Sequence, residues 1–202
     1  MANKKTFKIR YQEPEAARIF FTSDTHFGHL NIMRYSNRPF GSIEEHDKTL
    51  IENWNRKVPK NGIVYHLGDV GFASSEYLNS ILSQLHGKIH LIVGNHDHKQ
   101  ILKQQAQFFE SIETQFTVQI GEQQIVLNHC PLLCFPGAYR GWWQLFGHVH
   151  SGPRVSDGLD LPRLSMLFPT QYDVGVDNNN YTPVSFLELQ KIIQERIDKS
   201  NV

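Results

Sequence analysis

The stretch Ile92-Val93-Gly94-Asn95-His96-Asp97 connects an apolar run to three polar side chains through a glycine. An apolar run that is bounded by turn residues is typical of a buried strand. In open α/β sheets, ligands bind in the crevice outside the carboxyl ends of such strands. We therefore expect this stretch to present an amide, an imidazole and a carboxylate at one edge of a sheet.

Residues 19–26 and 63–69 have the same form, since each is an apolar run that ends in polar side chains. Apolar residues recur at helical spacing over residues 43–58 and 75–86, and a Ser-x-x-Glu capping box precedes the first of these segments. Strands that alternate with helices predict βαβ units. The three strand ends should therefore meet at one site.

After a third predicted helix, which carries Ile101, Leu102, Phe108 and Phe109, the pattern changes to strand-like alternation. Residues 116–128 contain two alternating runs around a Gly-Glu turn, which predicts a β-hairpin. Residues 142–146 and 172–176 predict two further strands, and residues 185–197 predict a last amphipathic helix. The fold class is therefore α/β, with a mainly β second half.

The length and charge of the chain limit its partners. Its 202 residues suffice for one domain, residues 1–202, with a sizeable core. The 20 acidic residues cancel the 20 basic ones, so the chain lacks the net positive field of a dedicated duplex-binding protein, unless a local basic patch is present. We expect a small anionic substrate, with nucleic acid only as a short substrate.

The sequence carries no sign of export or membrane insertion. Its N-terminus lacks an apolar signal core, and no stretch reaches the ~20 apolar residues of a membrane span. The two cysteines, Cys130 and Cys134, are only four residues apart. We therefore expect a reducing, cytoplasmic location and no membrane partner. Residues 1–17 are expected to be a polar tail or an edge strand.

Side chains able to bind metal follow the predicted strands. They are Asp24, His26, Asp69, Asn95, His96, His129, His148 and His150. Carboxylates, imidazoles and one amide oxygen suit Mn²⁺, Fe or Zn²⁺. Strand alternation places both side chains of an Asp-x-His or His-x-His pair on one face, so each pair can reach a common centre. An asparagine adds an oxygen ligand without adding negative charge.

Five blocks of residues resemble, in type and order, those of the calcineurin-like metallophosphoesterases. They are Asp24-x-His26, Gly68-Asp69, Gly94-Asn95-His96-Asp97, His129 and Gly147-His148-Val149-His150. The resemblance covers residues 19–150, and the short length together with the sequence Asp-Thr-His-Phe-Gly-His is similar to compact bacterial and phage members. It implies a four-layer α/β/β/α sandwich of two mixed sheets with flanking helices, and a dinuclear metal site at the carboxyl ends of the strands.

The resemblance also implies a role for each matching residue. One metal ion would be held by Asp24, His26 and His150, the other by Asn95, His129 and His148, and Asp69 would bridge the two. His96 would be the general acid, and Asp97 would orient it. Manganese is the metal we expect first, with iron, zinc, nickel and magnesium as alternatives. The chain departs from many members after Asp69, where it has Val70-Gly71-Phe72 in place of a further acidic residue.

The implied function is a metal-dependent phosphohydrolase, either a phosphodiesterase or a phosphatase, that uses a metal-bound hydroxide and protonates the leaving group through His96. Two alternatives stay open: a catalytically inactive binding module on the same scaffold, and a nuclease acting on short or single-stranded nucleic acid. The complete set of implied ligands, together with His96, favours the enzyme.

Substrate contacts are expected from His29 and from arginines near the strand ends. His29 would either face the substrate or cap the turn after Gly28. Arg34, Arg38, Arg140, Arg154 and Arg163 could grip phosphate oxygens, or each could be solvated. The loop at residues 151–170 is long enough to act as a lid or to select the leaving group.

The remaining histidines and both cysteines have simpler interpretations. The histidines expected to be structural or solvated are His46, His66, His86, His90 and His98. Cys130 and Cys134 are expected to be packing residues, although a reactive thiol beside a metal ligand is the alternative.

Overall fold

The computed structural model describes residues 8–97, 99–153 and 164–200. The strands are β1 Lys8–Tyr11, β2 Ile19–Thr22, β3 Ile63–His66, β4 Lys88–Ile92, β5 Phe109–Glu113, β6 Gln115–Ile120, β7 Gln123–Asn128, β8 Trp143–Phe146, β9 Gln171–Asp173 and β10 Val184–Ser185. The α-helices are α1 Glu13–Ala16, α2 Ile32–Tyr35, α3 Ile43–Lys57, α4 Ser75–Leu82, α5 Lys99–Gln105 and α6 Phe186–Ser200.

The strands form two mixed sheets of five strands each. The first sheet has the order β10-β2-β3-β4-β5, in which β2 to β5 are parallel and β10 is antiparallel to β2. The second has the order β1-β6-β7-β8-β9, in which β6 and β7 form the predicted antiparallel hairpin and the other pairs are parallel. The carboxyl ends of β2, β3 and β4 therefore lie together, as the sequence predicts.

One apolar core lies between the two sheets. Phe21 and Tyr65 of the first sheet share it with Leu127 and Leu145 of the second, and all four are fully buried. Burial of one such side chain contributes about 1.5–3 kcal/mol, so this layer is a main source of stability. The amphipathic helix α6 inserts Leu189 into the same core.

Helices cover the other face of the first sheet. Trp54 of α3 packs with Phe20 and Val64, and Leu78 of α4 packs with Leu91 of β4. The predicted class, a mixed α/β fold of two mixed sheets with flanking helices, is therefore confirmed. None of the helices in the described ranges combines the length and apolar character that a membrane span requires.

The helix boundaries follow the predicted caps closely. Ser42 accepts a hydrogen bond from the Glu45 N–H (3.2 Å) and begins α3. The Glu45 carboxylate instead accepts from the Gly41 N–H (2.8 Å), so the box is displaced by one residue. Ser185 and Glu188 form the predicted reciprocal box before α6. Helix α4 ends at Leu82, earlier than predicted.

Of the two interpretations of residues 1–17, a polar tail or an edge strand, the structure confirms the edge strand for the described part. Strand β1 lies at the edge of the second sheet and pairs in parallel with β6, and the Tyr11 and Tyr65 hydroxyl groups are hydrogen-bonded (2.7 Å). Two other sequence predictions need correction. Phe109, which the sequence analysis places in the third helix, is instead the first residue of strand β5. This segment forms a strand because it pairs with β4 at the edge of the first sheet. The strand predicted at 172–176 ends at Asp173, and a 3₁₀ turn follows at Val176–Asn178.

Candidate active site

The segments that follow β2 and β3 run side by side and carry three of the predicted ligands. The Asp24 N–H donates to the Gly68 carbonyl (2.9 Å), and the His26 N–H donates to the Asp69 carbonyl (3.0 Å). These two backbone bonds continue the pairing of the strands beyond their ends. They fix the two aspartates next to each other at the carboxyl edge of the first sheet.

Most predicted ligands lie in the left-handed backbone region, which non-glycine residues rarely adopt. The residues and their φ values are Asp24 (57°), His26 (49°), Asp69 (57°), His148 (72°) and His150 (47°). Such a conformation costs about 1–3 kcal/mol per residue and persists only where the surroundings impose it. Asp24 and His26 do converge on one group, but through these turns beyond the strands and not through the strand alternation that the sequence predicts, whereas His148 and His150 reach two different groups.

Two glycines make the close approach of these turns feasible. A Cβ on Gly94 would lie 2.3 Å from Asp69 Oδ1, and a Cβ on Gly147 would lie 2.2 Å from Asp24 Oδ2. Any side chain at either position would displace a predicted ligand. The glycine in the stretch 92–97 is therefore a requirement of the site as well as of the turn.

The predicted ligands of the first ion converge around Asp24. One ligand atom from each of Asp24, His26 and His150 lies within 4.8 Å of the others. Asp69 lies beside this group, because its Oδ2 is 3.6 Å from His26 Nε2 and 3.5 Å from His129 Nε2. This is the position that a bridging carboxylate needs.

The predicted ligands of the second ion meet at the side chain of Asn95. Its Oδ1 lies 2.8 Å from His129 Nε2 and 2.8 Å from His148 Nδ1. Asp24, Asp69 and His129 also approach within 4.8 Å of one another. The structure thus brings all seven predicted ligands together.

Two buried polar atoms in this cluster provide a test of whether it fits a cation. Within the described residues, Asp24 Oδ1 and His26 Nε2 are buried without a hydrogen-bond partner. An unpaired buried polar atom costs about 1–3 kcal/mol. A divalent ion bound by carboxylate oxygens and imidazole nitrogens would satisfy both atoms. The residues therefore fit a divalent metal.

Hydrogen bonds behind the cluster fix the histidine rings. His129 Nδ1 donates to the Leu67 carbonyl (2.7 Å), which leaves Nε2 for the cluster. His150 Nδ1 lies 2.6 Å from Asp177 Oδ2. A carboxylate in this position orients a metal-ligating histidine and raises its basicity. Asp177 is a site residue that the sequence analysis missed.

Arg38 ties Asp177 to the ligand loop. Its guanidinium makes a bidentate pair with Asp177 (2.9 and 2.8 Å) and donates to the carbonyls of Asp24 (2.7 Å) and Thr25 (3.0 Å). Burial raises the pKa of Asp177, but Arg38 and His150 outweigh burial and lower it, so the carboxylate stays ionised. Arg38 is buried, so both interpretations that the sequence allowed for it, phosphate binding and solvation, are wrong.

Further polar contacts extend this network away from the cluster. His46 Nε2 lies 2.8 Å from Arg38 Nη1, and His46 Nδ1 lies 2.6 Å from Asp47 Oδ1. Asp47 Oδ2 accepts from the Gly28 N–H and from the Tyr77 hydroxyl (both 2.9 Å). His46 is therefore structural, as predicted.

Three other histidines predicted to be structural also have polar partners that are not predicted metal ligands. His66 pairs with the Thr25 hydroxyl (2.9 Å), His86 with the Val58 carbonyl (3.1 Å) and His90 with the Ser111 hydroxyl (2.8 Å). His98 lies outside the described residues.

Asp97 holds the loops of the site through backbone contacts. Its carboxylate accepts from the N–H groups of Asp69 (2.8 Å), Val70 (3.0 Å) and Gly94 (2.8 Å). These contacts supply support after Asp69, where the chain departs from many members of the resembling family. Because the contacts given by the structure for Asp97 are with the backbone, its role in orienting His96 stays a prediction.

His96 and His29 line a cleft of about 290 Å³ above the cluster. The His96 N–H donates to Asp69 Oδ1 (2.8 Å), and its ring centroid lies 5.5 Å from that of His26. His29 Nδ1 lies 3.3 Å from His26 Nδ1. Burial, followed by the neighbouring His96, lowers the pKa of His29, so its ring is uncharged at neutral pH. His29 therefore faces the cleft.

Arg34 and Arg140, the other described arginines considered for phosphate contact, are not among the residues that line this cleft. Arg34 is exposed, and its guanidinium lies 5.5 Å from the centre of the Tyr35 ring. Arg140 is exposed in the 3₁₀ turn Ala138–Arg140. Arg154, Arg163 and the rest of residues 154–163 in the loop at 151–170 lie outside the described residues.

Cys130 lies beside the second group of ligands. Its sulfur is within 4.8 Å of ligand atoms of His129 and His148. Burial, followed by the charges of Asp69 and Asp24, raises the pKa of its thiol. A raised pKa disfavours the thiolate that acts as nucleophile or metal ligand. This direction holds for the site without a cation, so the choice between a packing residue and a reactive thiol stays a prediction.

Fold and site together define a two-sheet α/β protein with a metal-binding cluster built at strand ends. The family model of the calcineurin-like phosphoesterase superfamily domain matches residues 18–152. The chain belongs to that superfamily.

Two relatives and one solved structure show how far the similarity extends. The uncharacterized protein MJ1445 of Methanocaldococcus jannaschii is 33% identical over 180 residues, which cover 88% of this chain and 92% of the relative. The Gene 66 protein of Mycobacterium phage L5 is 30% identical over 130 residues, which cover 55% of this chain and 62% of the relative. The crystal structure of AQ665, a protein of unknown function from Aquifex aeolicus, has a TM-score of 0.67 and 23% identity, covering 86% of this chain and 98% of AQ665. The last similarity supports the fold alone.

Proposed function

We propose that the protein is a metal-dependent phosphohydrolase that cleaves a phosphodiester or a phosphomonoester. The observation that carries this proposal is the convergence of the seven ligand side chains, with Asp24 Oδ1 and His26 Nε2 buried without hydrogen-bond partners among the described residues. Membership in the calcineurin-like phosphoesterase superfamily supports the same class of reaction.

Two divalent ions, manganese first among them, would occupy the cluster. Asp24, His26 and His150 would hold one ion, and Asn95, His129 and His148 would hold the other. Asp69 lies between His26 and His129 and would contact both. When bound, such ions neutralise phosphate charge and activate a water molecule as the nucleophile.

The charge of the ligand set suits an anionic substrate. Asp24 and Asp69 contribute the two negative charges, while Asn95 and the histidines contribute neutral donors. Two divalent cations would therefore leave an excess of positive charge facing the cleft. A phosphate group would be attracted to this charge, whereas a neutral ester would not.

His96 is the residue that we assign to protonation of the leaving oxygen. Its N–H bond to Asp69 fixes its backbone next to the cluster, and its ring lies in the cleft beside His26 and His29. A positioned general acid accelerates such a step by about 10²–10⁴-fold. The uncharged His29 would supply a hydrogen bond to a phosphate oxygen.

An activity panel with defined metals tests the proposal. Chelator-treated protein would be loaded with Mn²⁺, Mg²⁺, Ni²⁺ or Zn²⁺ and assayed on bis-p-nitrophenyl phosphate, p-nitrophenyl phosphate, cyclic nucleotides and short oligonucleotides. We expect metal-dependent turnover of at least one class, lost in Asp24→Asn and retained in Asp198→Asn, a matched change on the exposed side of α6. Full metal occupancy without turnover of any class would instead identify a binding module.

A further inference from the structure

An apolar pocket of about 460 Å³ opens directly beside the metal-ligand cluster. Its walls are Cys130, Pro131, Leu133, Leu164, Met166 and Leu167, and it shares His148 and Val149 with the cleft above the cluster. Leu133 and Met166 remain 65% and 66% exposed. Large apolar side chains that stay exposed around a concave site are a mark of ligand binding.

The two walls of this pocket are fixed relative to each other. One wall comes from the segment after β7 and the other from the segment before β9. Gln171 donates to the Leu132 carbonyl (2.8 Å) across the gap, and the rings of Phe135 and Phe168 meet edge to face at 6.1 Å. The Leu132 N–H also donates to Gln144 of β8 (3.3 Å). The pocket is therefore preformed, which reduces the entropic cost of binding.

The pocket adjoins the cleft at His148, whereas His96 lines the cleft but not the pocket. His148 lines both the pocket and the cleft, whereas His96 lines the cleft together with His26 and His29. A phosphate bound at the cluster would therefore have the apolar pocket on the side of His148. The proposed general acid, His96, would reach it from another part of the cleft. A phosphomonoester has one substituent, which must leave, whereas a phosphodiester has a second substituent that needs a place.

We propose that this pocket binds an uncharged apolar or aromatic substituent that stays on the phosphate of a phosphodiester. The inference rests on the proposed function and narrows its substrate to diesters. A water oxygen adds to phosphorus and releases one proton to solvent, the P–O bond to the other substituent breaks, and the leaving oxygen takes a proton from His96, which is reprotonated from solvent. The product is a phosphomonoester that keeps the substituent held in the pocket.

Diesters with one leaving group and different retained groups test this assignment. Methyl, phenyl, octyl and thymidine 5′ esters of p-nitrophenyl phosphate all release p-nitrophenolate, so differences in kcat/KM report the retained group. We expect phenyl to exceed methyl by about 10-fold or more, the size of effect that apolar pockets achieve. The thymidine and octyl esters then show whether the pocket suits a nucleoside or an aliphatic chain.

Polar substitutions of similar size test whether the preference for the phenyl ester arises in this pocket. In Leu133→Asn and Met166→Gln, the ratio of kcat/KM for the phenyl and methyl esters should fall about 10-fold. The matched control Leu187→Asn, on an exposed position of α6, should keep the wild-type ratio. A ratio near one in the wild type, or one that the pocket variants leave unchanged, would overturn the inference while the hydrolase proposal stands.

Binding of anions that cannot be hydrolysed tests the affinity of the pocket independently of catalysis. Diphenylphosphinate and dimethylphosphinate have the same charge but no ester bond, and calorimetry on Mn²⁺-loaded protein measures both. We expect the diphenyl compound to bind about 10-fold tighter, with the advantage lost in Leu133→Asn. If the advantage appears but no ester is cleaved, the pocket is supported and the proposed function fails.

Discussion

His150 Nδ1 lies 2.6 Å from the Asp177 carboxylate, which in turn accepts hydrogen bonds from Nε and Nη2 of Arg38. This relationship joins a predicted metal ligand to the 3₁₀ turn after β9. It leaves His150 Nε2 facing Asp24, at 3.9 Å from its Oδ1. The turn after β9 thereby orients a predicted ligand that follows β8.

Asp177→Asn should weaken metal binding because the amide cannot hold His150 as a carboxylate does. Loss of such an outer partner lowers metal affinity about 10–100-fold. Calorimetric titration with Mn²⁺ would measure the change, with Asp198→Asn as the control. An unchanged dissociation constant would show that His150 is held by other contacts.

The same substitution also deprives Arg38 of its buried partner, and breaking a buried pair costs about 3–5 kcal/mol. The double variant Arg38→Met with Asp177→Asn removes both charges. We expect it to recover thermal stability relative to Asp177→Asn without recovering metal affinity. Joint recovery of both quantities would mean that unfolding alone caused the weaker binding.

Asp69→Asn should lower metal content and activity together. Asp69 Oδ2 is the atom that lies between His26 Nε2 and His129 Nε2, and a neutral amide offers one oxygen where two cations need a shared carboxylate. Elemental analysis and turnover would be measured on the same preparation. Two full metal equivalents in an active Asp69→Asn protein would contradict the bridging assignment.

His96→Ala should leave metal content near that of the wild type but slow esters of alcohols far more than p-nitrophenyl esters. A leaving group of low pKa needs little protonation, so a general acid matters less for it. The comparison requires kcat/KM for both ester classes. Equal slowing of the two would assign His96 to binding of the phosphate.

His66 should make the protein less stable in mild acid. Burial lowers the pKa of His66 to about 3, whereas an unfolded histidine titrates near 6.5. The unfolded state therefore binds the proton first, and stability is lost as the pH falls below about 6.5. At pH 5 the loss from this group is about 2 kcal/mol. Between pH 6.5 and pH 5, the free energy of unfolding should therefore fall less in His66→Gln than in the wild type. Each protein is compared with its own value at pH 6.5.

The sequence could predict the strand ends and their polar residues because both are local features. A short apolar run followed by Gly94-Asn95-His96 is sufficient by itself to predict a buried strand and a turn. The left-handed conformations of Asp24 and His148 are not local in this sense. They are imposed by hydrogen bonds between distant segments, such as the bond from the His148 N–H to Asp24 Oδ2 (2.9 Å).

Asp177 and Arg38 could not be predicted for a related reason. Arg38 lies in an irregular polar segment that is typical of a solvated arginine, and its burial depends on Asp177, 139 positions away in the chain. Asp177 follows a weak strand pattern, and its partner His150 is 27 positions away. Sequence spacing shows which groups can bind a metal, whereas the tertiary fold determines which groups orient them.

Asp97→Asn separates two roles for the acidic residue of the stretch 92–97. Asp97 accepts three backbone N–H bonds, from Asp69, Val70 and Gly94. An asparagine must turn an N–H₂ group toward at least one of these donors, and each bond lost to a charged acceptor costs about 1.5–3 kcal/mol. Since these bonds fix the loop of Asp69, we expect a lower unfolding temperature and weaker Mn²⁺ binding.

The dependence of rate on the leaving group should stay close to that of the wild type in the Asp97→Asn protein that remains metal-loaded. If Asp97→Asn instead keeps metal affinity and reproduces the leaving-group pattern of His96→Ala, the orientation of His96 is its main role.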